Sequence, residues 1–254
     1  MNSTTSNKRG MIKLWAIFFW LLVWQILSAY IGQEILLASP LSVLNRLAHL
    51  ATRINFWSSI LSSLSRIIVG FFLATFIGVI FATFAASFRF IEQLLEPIIL
   101  FIRATPVASI IILLLIWFSS VHLAIIISFL MVMPIIYTNM LSGIKSTDDK
   151  LLEMAEVFEM SMKRRIIYIY ISQVLPFFKA ACLIGLGLSW KSGIAAEVIG
   201  IPSGSIGASL HQARIFLATP DLFAWTATII IISTLFERIF MFLLTQAINR
   251  LERF

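Results

Sequence analysis

The residues of this chain that could do chemistry are ionisable side chains inside long apolar stretches. Arg103, Lys191 and Glu197 each interrupt such a stretch, and Pro106 lies three residues after Arg103. A charge at membrane depth is costly, so it usually faces water or a partner within the protein. A proline frees a backbone carbonyl and can kink a helix toward a cavity. These four residues are predicted to line a path for a solute, and the two cations would favour an anion there. The alternative that remains open is a structural ion pair.

Motifs for catalysis are missing from the sequence. It contains no G-x-x-x-x-G-K-[ST] phosphate loop, no H-E-x-x-H motif and no nucleophile elbow. His49, His122 and His211 are widely separated, which argues against a membrane enzyme, and Cys182 is the single cysteine. No catalytic residue, cofactor or metal is therefore expected, and an energy source would have to lie on another subunit.

The composition indicates a membrane protein. Hydrophobic residues make up 60% of the chain and charged residues 12%, which leaves too little polar surface for a soluble globule. The net charge of +7 comes from basic residues in short loops and forms no continuous stripe, so nucleic acid is not an expected partner. The predicted fold class is all-α, with membrane lipid around it.

Six segments approach the length that a membrane span needs. They are residues 14–31, 63–88, 95–118, 122–143, 177–199 and 222–246. The first of them could instead be a signal sequence. The prediction places residues 1–13 and 247–254 in the cytoplasm, residues 32–62 outside with an interfacial helix, and a transmembrane core at residues 63–246.

The distribution of basic residues predicts the orientation, because cytoplasmic loops carry an excess of Lys and Arg. With the N-terminus inside, only Arg46, Arg53 and Arg214 lie outside. The cytoplasmic cations would be Lys8, Arg9, Lys13, Arg89, Lys145, Lys150, Lys163, Arg164, Arg165, Arg250 and Arg253. Both termini are therefore predicted to be cytoplasmic.

Small residues recur every four positions in two of the predicted spans. One stripe contains Gly70 and Gly78, and the other contains Gly185, Ser189 and Gly193. Such stripes let two helices approach closely. They predict helix packing, either within one bundle or across a dimer seam.

A polar segment at residues 146–176 separates two apolar stretches, and its pattern predicts two short helices joined by a turn. Ser146 or Thr147 could cap the first helix. On one face of that helix lie Leu151, Leu152, Ala155 and Phe158. This apolar ridge would fit the groove of a cytoplasmic partner.

The order Glu153-Met-Ala155, Glu159-Met-Ser161 and a later Pro176 resembles the EAA loop of ABC importer permeases. The segments Arg103-Ala-Thr-Pro106 and Trp190 to Gly200 are similar to the taurine, nitrate and aliphatic-sulfonate branch. In that family a glycine usually stands at the position of Glu159, so the chain here would form either a looser left-handed turn or a continued helix.

The resemblance implies a multi-pass permease of the cell inner membrane that acts as a homodimer. Its partners would be ATP-binding cassette ATPase subunits and an extracytoplasmic solute-binding protein. The ATPase-coupling residues that it implies are Leu151, Leu152, Glu153, Ala155, Phe158, Glu159, Ser161 and Pro176. The alternative is an ATP-independent channel or secondary transporter, which would leave the polar segment without a role.

Overall fold

The computed structural model describes residues 5–251 of the chain, and this part is helical without strands, as the sequence predicts. Within residues 5–251, eleven α-helices and one π-helical turn follow one another. The helices are α1 Thr5–Ile31, α2 Pro40–Ala51, α3 Ile54–Ser87, α4 Arg89–Ala104, α5 Val107–Leu114, α6 Ser120–Lys145, α7 Asp149–Val157, α8 Met162–Arg165, α9 Ile171–Gly200, α10 Ile206–Ile215 and α11 Thr219–Leu251, with the π turn at Ile166–Tyr170.

Four helices of the described part are long and apolar enough to cross a membrane. They are Ile54–Ser87, Ser120–Lys145, Met162–Gly200 and Thr219–Ile248. The predicted span 95–118 differs, because the chain bends by 101° between α4 and α5. Thr105 is extended and Pro106 has no amide hydrogen to continue the helix, so the proline breaks this span instead of only kinking it.

The helix boundaries also correct the predicted organisation. Helix α3 begins at Ile54, so the segment 32–62 already contains its first turns. Residues 1–4 and 252–254 of the predicted cytoplasmic ends lie outside the described part of the chain. The first predicted span falls on α1, in which the apolar stretch Trp15–Ile31 is shorter than the other spans.

Helix contacts divide the chain into two compact units. Residues 1–58 and 209–230 form one unit. Within it, Trp24 donates from its indole nitrogen to the Ala38 carbonyl at 3.0 Å, which ties α1 to the start of α2. The guanidinium of Arg46 forms a bidentate ion pair with the carboxylate of Asp221, and the hydrogen bonds of this pair raise the pKa of Arg46. The segment for which an interfacial helix was predicted contains the helix α2, and its position at the interface stays a prediction.

Residues 59–208 and 231–254 form the second unit, in which α6 and α9 pack along much of their lengths. The buried core of this unit includes Phe71, Val132, Ile136 and Leu186. Burying these side chains favours the packed bundle, because they fill the space between α3, α6 and α9.

Glycine allows the closest of these approaches. A Cβ at Gly70 would lie 2.5 Å from the backbone oxygen of Ile125, and one at Gly193 would lie 2.6 Å from Cγ1 of Ile67. Cβ atoms at Gly78 and Gly185 would lie 2.9 and 3.0 Å from side chains of α6. Ser189 contributes its carbonyl oxygen, which accepts a 3.1 Å hydrogen bond from the Ser128 hydroxyl. In the structure both small-residue stripes face helices of the same chain.

We expect Gly70→Ala to destabilise the protein by about 1–3 kcal/mol, because backbone atoms of α6 cannot yield to the added methyl group. Gly187→Ala is the matched control: nothing lies within 4 Å of its Cβ position, so the unfolding temperature should stay level or rise. The measurement is the thermal midpoint of the detergent-solubilised protein. Equal midpoints for Gly70→Ala and the wild type would contradict the tight packing.

Candidate functional site

The polar segment between α6 and α9 begins with the short helix α7. Its N-cap is Asp148, whose carboxylate accepts a 3.0 Å hydrogen bond from the Lys150 amide, and not Ser146 or Thr147 as the sequence suggested. An acidic cap is favourable here because it satisfies a free amide and lies at the positive end of the helix dipole. The hydroxyls of Ser146 and Thr147 donate instead to carbonyls at the end of α6.

The turn after α7 decides between the two alternatives for Glu159. This residue has a left-handed conformation with φ of +49°. The Glu159 amide donates to the Glu156 carbonyl at 2.9 Å, and the Met160 amide donates to the Ala155 carbonyl at 2.8 Å. This pair of bonds is a Schellman motif, in which glycine is the preferred left-handed residue. Helix α7 therefore ends in a left-handed turn and does not continue.

We expect Glu159→Gly to stabilise the protein by about 1 kcal/mol, because an L-residue in the left-handed region costs roughly that amount and glycine does not. The Glu159 side chain is exposed, so little packing would be lost. The thermal midpoint of the purified protein measures the effect. A lower midpoint for Glu159→Gly would mean that the Glu159 side chain stabilises the turn.

Arg165 fastens this turn to the helix that follows it. Its Nε donates to the Met160 carbonyl at 3.0 Å and its Nη2 donates to the Ala155 carbonyl at 3.4 Å. Its Nη1 lies 3.7 Å from Oε1 of Glu156. The guanidinium thus gives the Met160 carbonyl a donor and adds a second donor to the Ala155 carbonyl, which already accepts from the Met160 amide.

The surface that α7 presents differs from the predicted ridge. Ala155 is fully buried, and Leu151 and Leu152 are half-buried, so these three residues pack toward the protein. The exposed apolar residues are Val157 at 80% and Phe158 at 72%, together with Met154. Positions 154, 157 and 158 share a helix face. We call these three residues the apolar patch; of its members, the prediction contained only Phe158.

The second predicted helix of the segment is continuous with the fifth span. Ser161 lies at the N-cap of α8, and the helical path runs from Met162 to Gly200 through the π turn. Pro176, which is exposed, lies inside α9 and therefore does not end a helix. Glu153 is exposed on α7. Helix α7 is therefore joined through one turn to a long helix that is apolar enough to cross a membrane.

The carboxylate of Glu197 lies in a buried polar cluster near the end of α9. Its side chain is 0% exposed, and its Oε1 lies 3.3 Å from Nη1 of Arg66. Its Oε2 accepts a 2.6 Å hydrogen bond from the Ser63 hydroxyl and a 3.2 Å bond from the Gly207 amide. The Ser63 hydroxyl also accepts from the Ile206 amide at 2.9 Å.

This cluster joins α3, α9 and the first turn of α10 through one carboxylate. A Cβ at Gly207 would overlap Glu197, so glycine is required for the close approach. The sequence had left open a structural ion pair among Arg103, Lys191 and Glu197 as the alternative to a solute path. The carboxylate is instead satisfied from three sides by Arg66, Ser63 and Gly207, which is the arrangement that a buried charge needs.

The other predicted path residues lie apart from this cluster. Arg103, Pro106 and Lys191 are exposed, and among the described side chains neither cation forms an ion pair with an acid. Arg103 lies in the last turn of α4 just before the bend, whereas Lys191 lies in the last third of α9. Both charges remain available to groups outside this chain.

The helices that could cross a membrane and the short capped helix between two of them define a multi-pass membrane protein with a polar segment between spans. Comparison with known families makes this specific. The chain belongs to the family described as binding-protein-dependent transport system inner membrane component, whose sequence model matches residues 74–253. It is thus the permease subunit of an ABC importer, and ATP hydrolysis belongs to a separate subunit.

Relatives extend over most of the chain. The taurine transport system permease protein of Escherichia coli is 27% identical, covering 84% of this chain and 80% of its own length. The putative aliphatic sulfonates transport permease protein of Bacillus subtilis is 25% identical over 80% of this chain and 74% of its own. The nitrate import permease protein of Synechococcus elongatus is 28% identical, with 72% and 70% covered. These relatives confirm the predicted branch.

Proposed function

We propose that this permease imports a small anionic solute and couples that import to the ATPase subunit through α7. The geometry of the loop supports this coupling role. Helix α7 is capped at both ends, Arg165 bonds to its last turn, and the apolar patch remains exposed. An exposed apolar face on a rigid short helix suits a groove of a partner protein. Closure of the ATPase pair around ATP would then move α7 and the long helix that follows it as one body.

The proposed cargo class follows from charge and from the relatives. Taurine, aliphatic sulfonates and nitrate, which the relatives are named for, each carry an anionic group. A cation at membrane depth is stabilised when an anion or water lies beside it. Arg103 and Lys191 would supply such positive potential along the path, with Pro106 shaping the bend beside Arg103. Glu197, which is fully satisfied within the chain, would support the path without lining it.

The assembly that we propose contains two copies of this chain, with the cargo path between them. The family works with an ATPase and a binding protein. Both termini, and with them α7, would lie in the cytoplasm, where basic residues are concentrated. The binding protein would then approach from the extracytoplasmic side of the membrane.

We expect Arg103→Gln and Lys191→Gln each to reduce uptake of an anionic cargo about tenfold or more, because one cation near a dehydrated anion contributes at least ~1.4 kcal/mol. The measurement is uptake of labelled taurine, nitrate and methanesulfonate into proteoliposomes that contain the full transporter with its binding protein. Yield of the complex with the ATPase should not change.

Arg238→Gln is the matched control, since Arg238 is also an exposed arginine on a helix long enough to span the membrane. It should transport at the wild-type rate. Full uptake by both Arg103→Gln and Lys191→Gln would refute the anion path. If these two variants show full uptake and the complex with the ATPase is intact, the anion path is refuted but the proposed coupling role of α7 is not.

A further inference from the structure

An apolar groove of about 600 Å³ lies beside the coupling segment. Its walls are the last turns of α3 and α6 and the first turns of the long helix, including the π turn. The lining residues are Val79, Thr83, Ala86, Ser87, Met140, Ile144, Met162, Ile166, Tyr170, Ile171, Val174, Leu175 and Phe178. A small polar cargo would gain nothing from such walls, so the groove is separate from the proposed solute path.

The two aliphatic hydroxyls of the wall are already bonded within α3. The Thr83 hydroxyl donates to the Val79 carbonyl at 2.9 Å, and the Ser87 hydroxyl donates to the Thr83 carbonyl at 3.0 Å. Apart from the Tyr170 hydroxyl, the wall therefore presents mainly aliphatic and aromatic side chains to an occupant. From Tyr170 to Phe178 the helix rises about 12 Å, close to the ~15 Å depth of one leaflet's hydrocarbon. These dimensions suit an acyl chain.

One end of the groove is cationic. Lys163 and Arg164 follow the lining residue Met162, are exposed, and form no ion pair with any side chain that the structure describes. Arg165, the third cation of the run, is occupied by the turn after α7. Tyr168 is exposed nearby, and tyrosine is enriched at the headgroup level of membranes. A neighbouring polar cavity contains the paired Lys145 and Glu92 and adds little net charge.

We propose that this groove binds an anionic phospholipid of the cytoplasmic leaflet, with an acyl chain along the groove and the phosphate at Lys163 and Arg164. Basic residues at the cytoplasmic boundary attract anionic headgroups, and a groove between helices retains the chain. The lipid would contact both α3 and the helix that α7 moves, so its binding would favour one position of the coupling segment. This inference rests on the proposed orientation of the loop toward the cytoplasm.

The test uses the complete permease–ATPase complex in phosphatidylcholine nanodiscs with or without phosphatidylglycerol. Native mass spectrometry should show phosphatidylglycerol retained on the permease, and ATPase activity should depend on this lipid. Lys163→Gln combined with Arg164→Gln should weaken retention roughly 30-fold, from the contribution of two basic residues at a membrane surface. Thr83→Phe should also abolish retention by filling the groove without changing any charge.

Two matched controls separate this effect from general damage. Arg53→Gln combined with Arg214→Gln removes the same charge from exposed arginines elsewhere, and Thr226→Phe alters another exposed threonine that bonds only within its helix. Both should retain the lipid. The proposal would be overturned if the test variants retained phosphatidylglycerol as well as the wild type does, or if the wild type retained phosphatidylcholine equally well. It would also be overturned if a second copy of the chain shielded the groove, so that the cysteine of Thr83→Cys could not be labelled. An ATPase that fails to co-purify with the wild-type chain would instead refute the coupling proposal.

Discussion

Replacing Glu197 by alanine is expected to destabilise the permease by about 3–5 kcal/mol, the range observed when one partner of a buried ion pair is removed. Glu197→Ala would leave the Arg66 guanidinium without its carboxylate in a largely buried position. The Ser63 hydroxyl and the Gly207 amide would lose their acceptor as well. The thermal midpoint of the detergent-solubilised protein and the yield of monodisperse protein measure this loss.

Two further variants make the test specific. Glu96→Ala removes an exposed carboxylate and should leave the free energy of unfolding within about 0.5 kcal/mol of the wild-type value. Arg66→Gln combined with Glu197→Gln should recover part of the lost stability, whereas Lys191→Gln combined with Glu197→Gln should not. Wild-type stability of Glu197→Ala with loss of transport alone would assign the carboxylate to the solute path instead.

Phe158→Asp is expected to abolish stable association with the ATPase while the chain still inserts and folds. A central aromatic residue of an interface contributes about 2–4 kcal/mol, which corresponds to roughly 30- to 1,000-fold in affinity. Phe158 is 72% exposed, so the change removes no packing within the chain. Co-purification of the ATPase and the ratio of solute transported to ATP hydrolysed are the measurements.

Phe216→Asp is the control, because Phe216 has the same exposure of 72% but lies between α10 and α11. It should leave ATPase binding unchanged. Phe158→Ala should weaken binding less than Phe158→Asp, since it removes the ring without adding a charge. Ala155→Asp, by contrast, should misfold the turn, because Ala155 is fully buried. Retention of the ATPase by Phe158→Asp would place the docking surface elsewhere.

The polar segment at residues 146–176 shows which features the local sequence determines and which depend on tertiary structure. Residue types in sequence order sufficed to predict a short helix in this segment, since apolar periodicity acts between neighbouring residues, but they did not identify its N-cap, Asp148. Which face of α7 points outward could not be read from the periodicity. Leu151, Leu152 and Ala155 form as good an apolar ridge as Met154, Val157 and Phe158. Contact with the rest of the unit decided that the first set is buried.

The charged residues show the same division. Composition and hydropathy alone determined that this is an all-helical membrane protein, because the bilayer requires long apolar helices. They also located Arg103, Lys191 and Glu197 as costly charges. The pairing of Glu197 with Arg66 joins positions 131 residues apart, and only the packing of α3 against α9 brings them together. The bend at Pro106 and the left-handed turn at Glu159 are local features, made by the missing amide hydrogen of proline and by the two amide bonds that end α7. Each local sequence nevertheless allows more than one conformation, so only the structure decided between them.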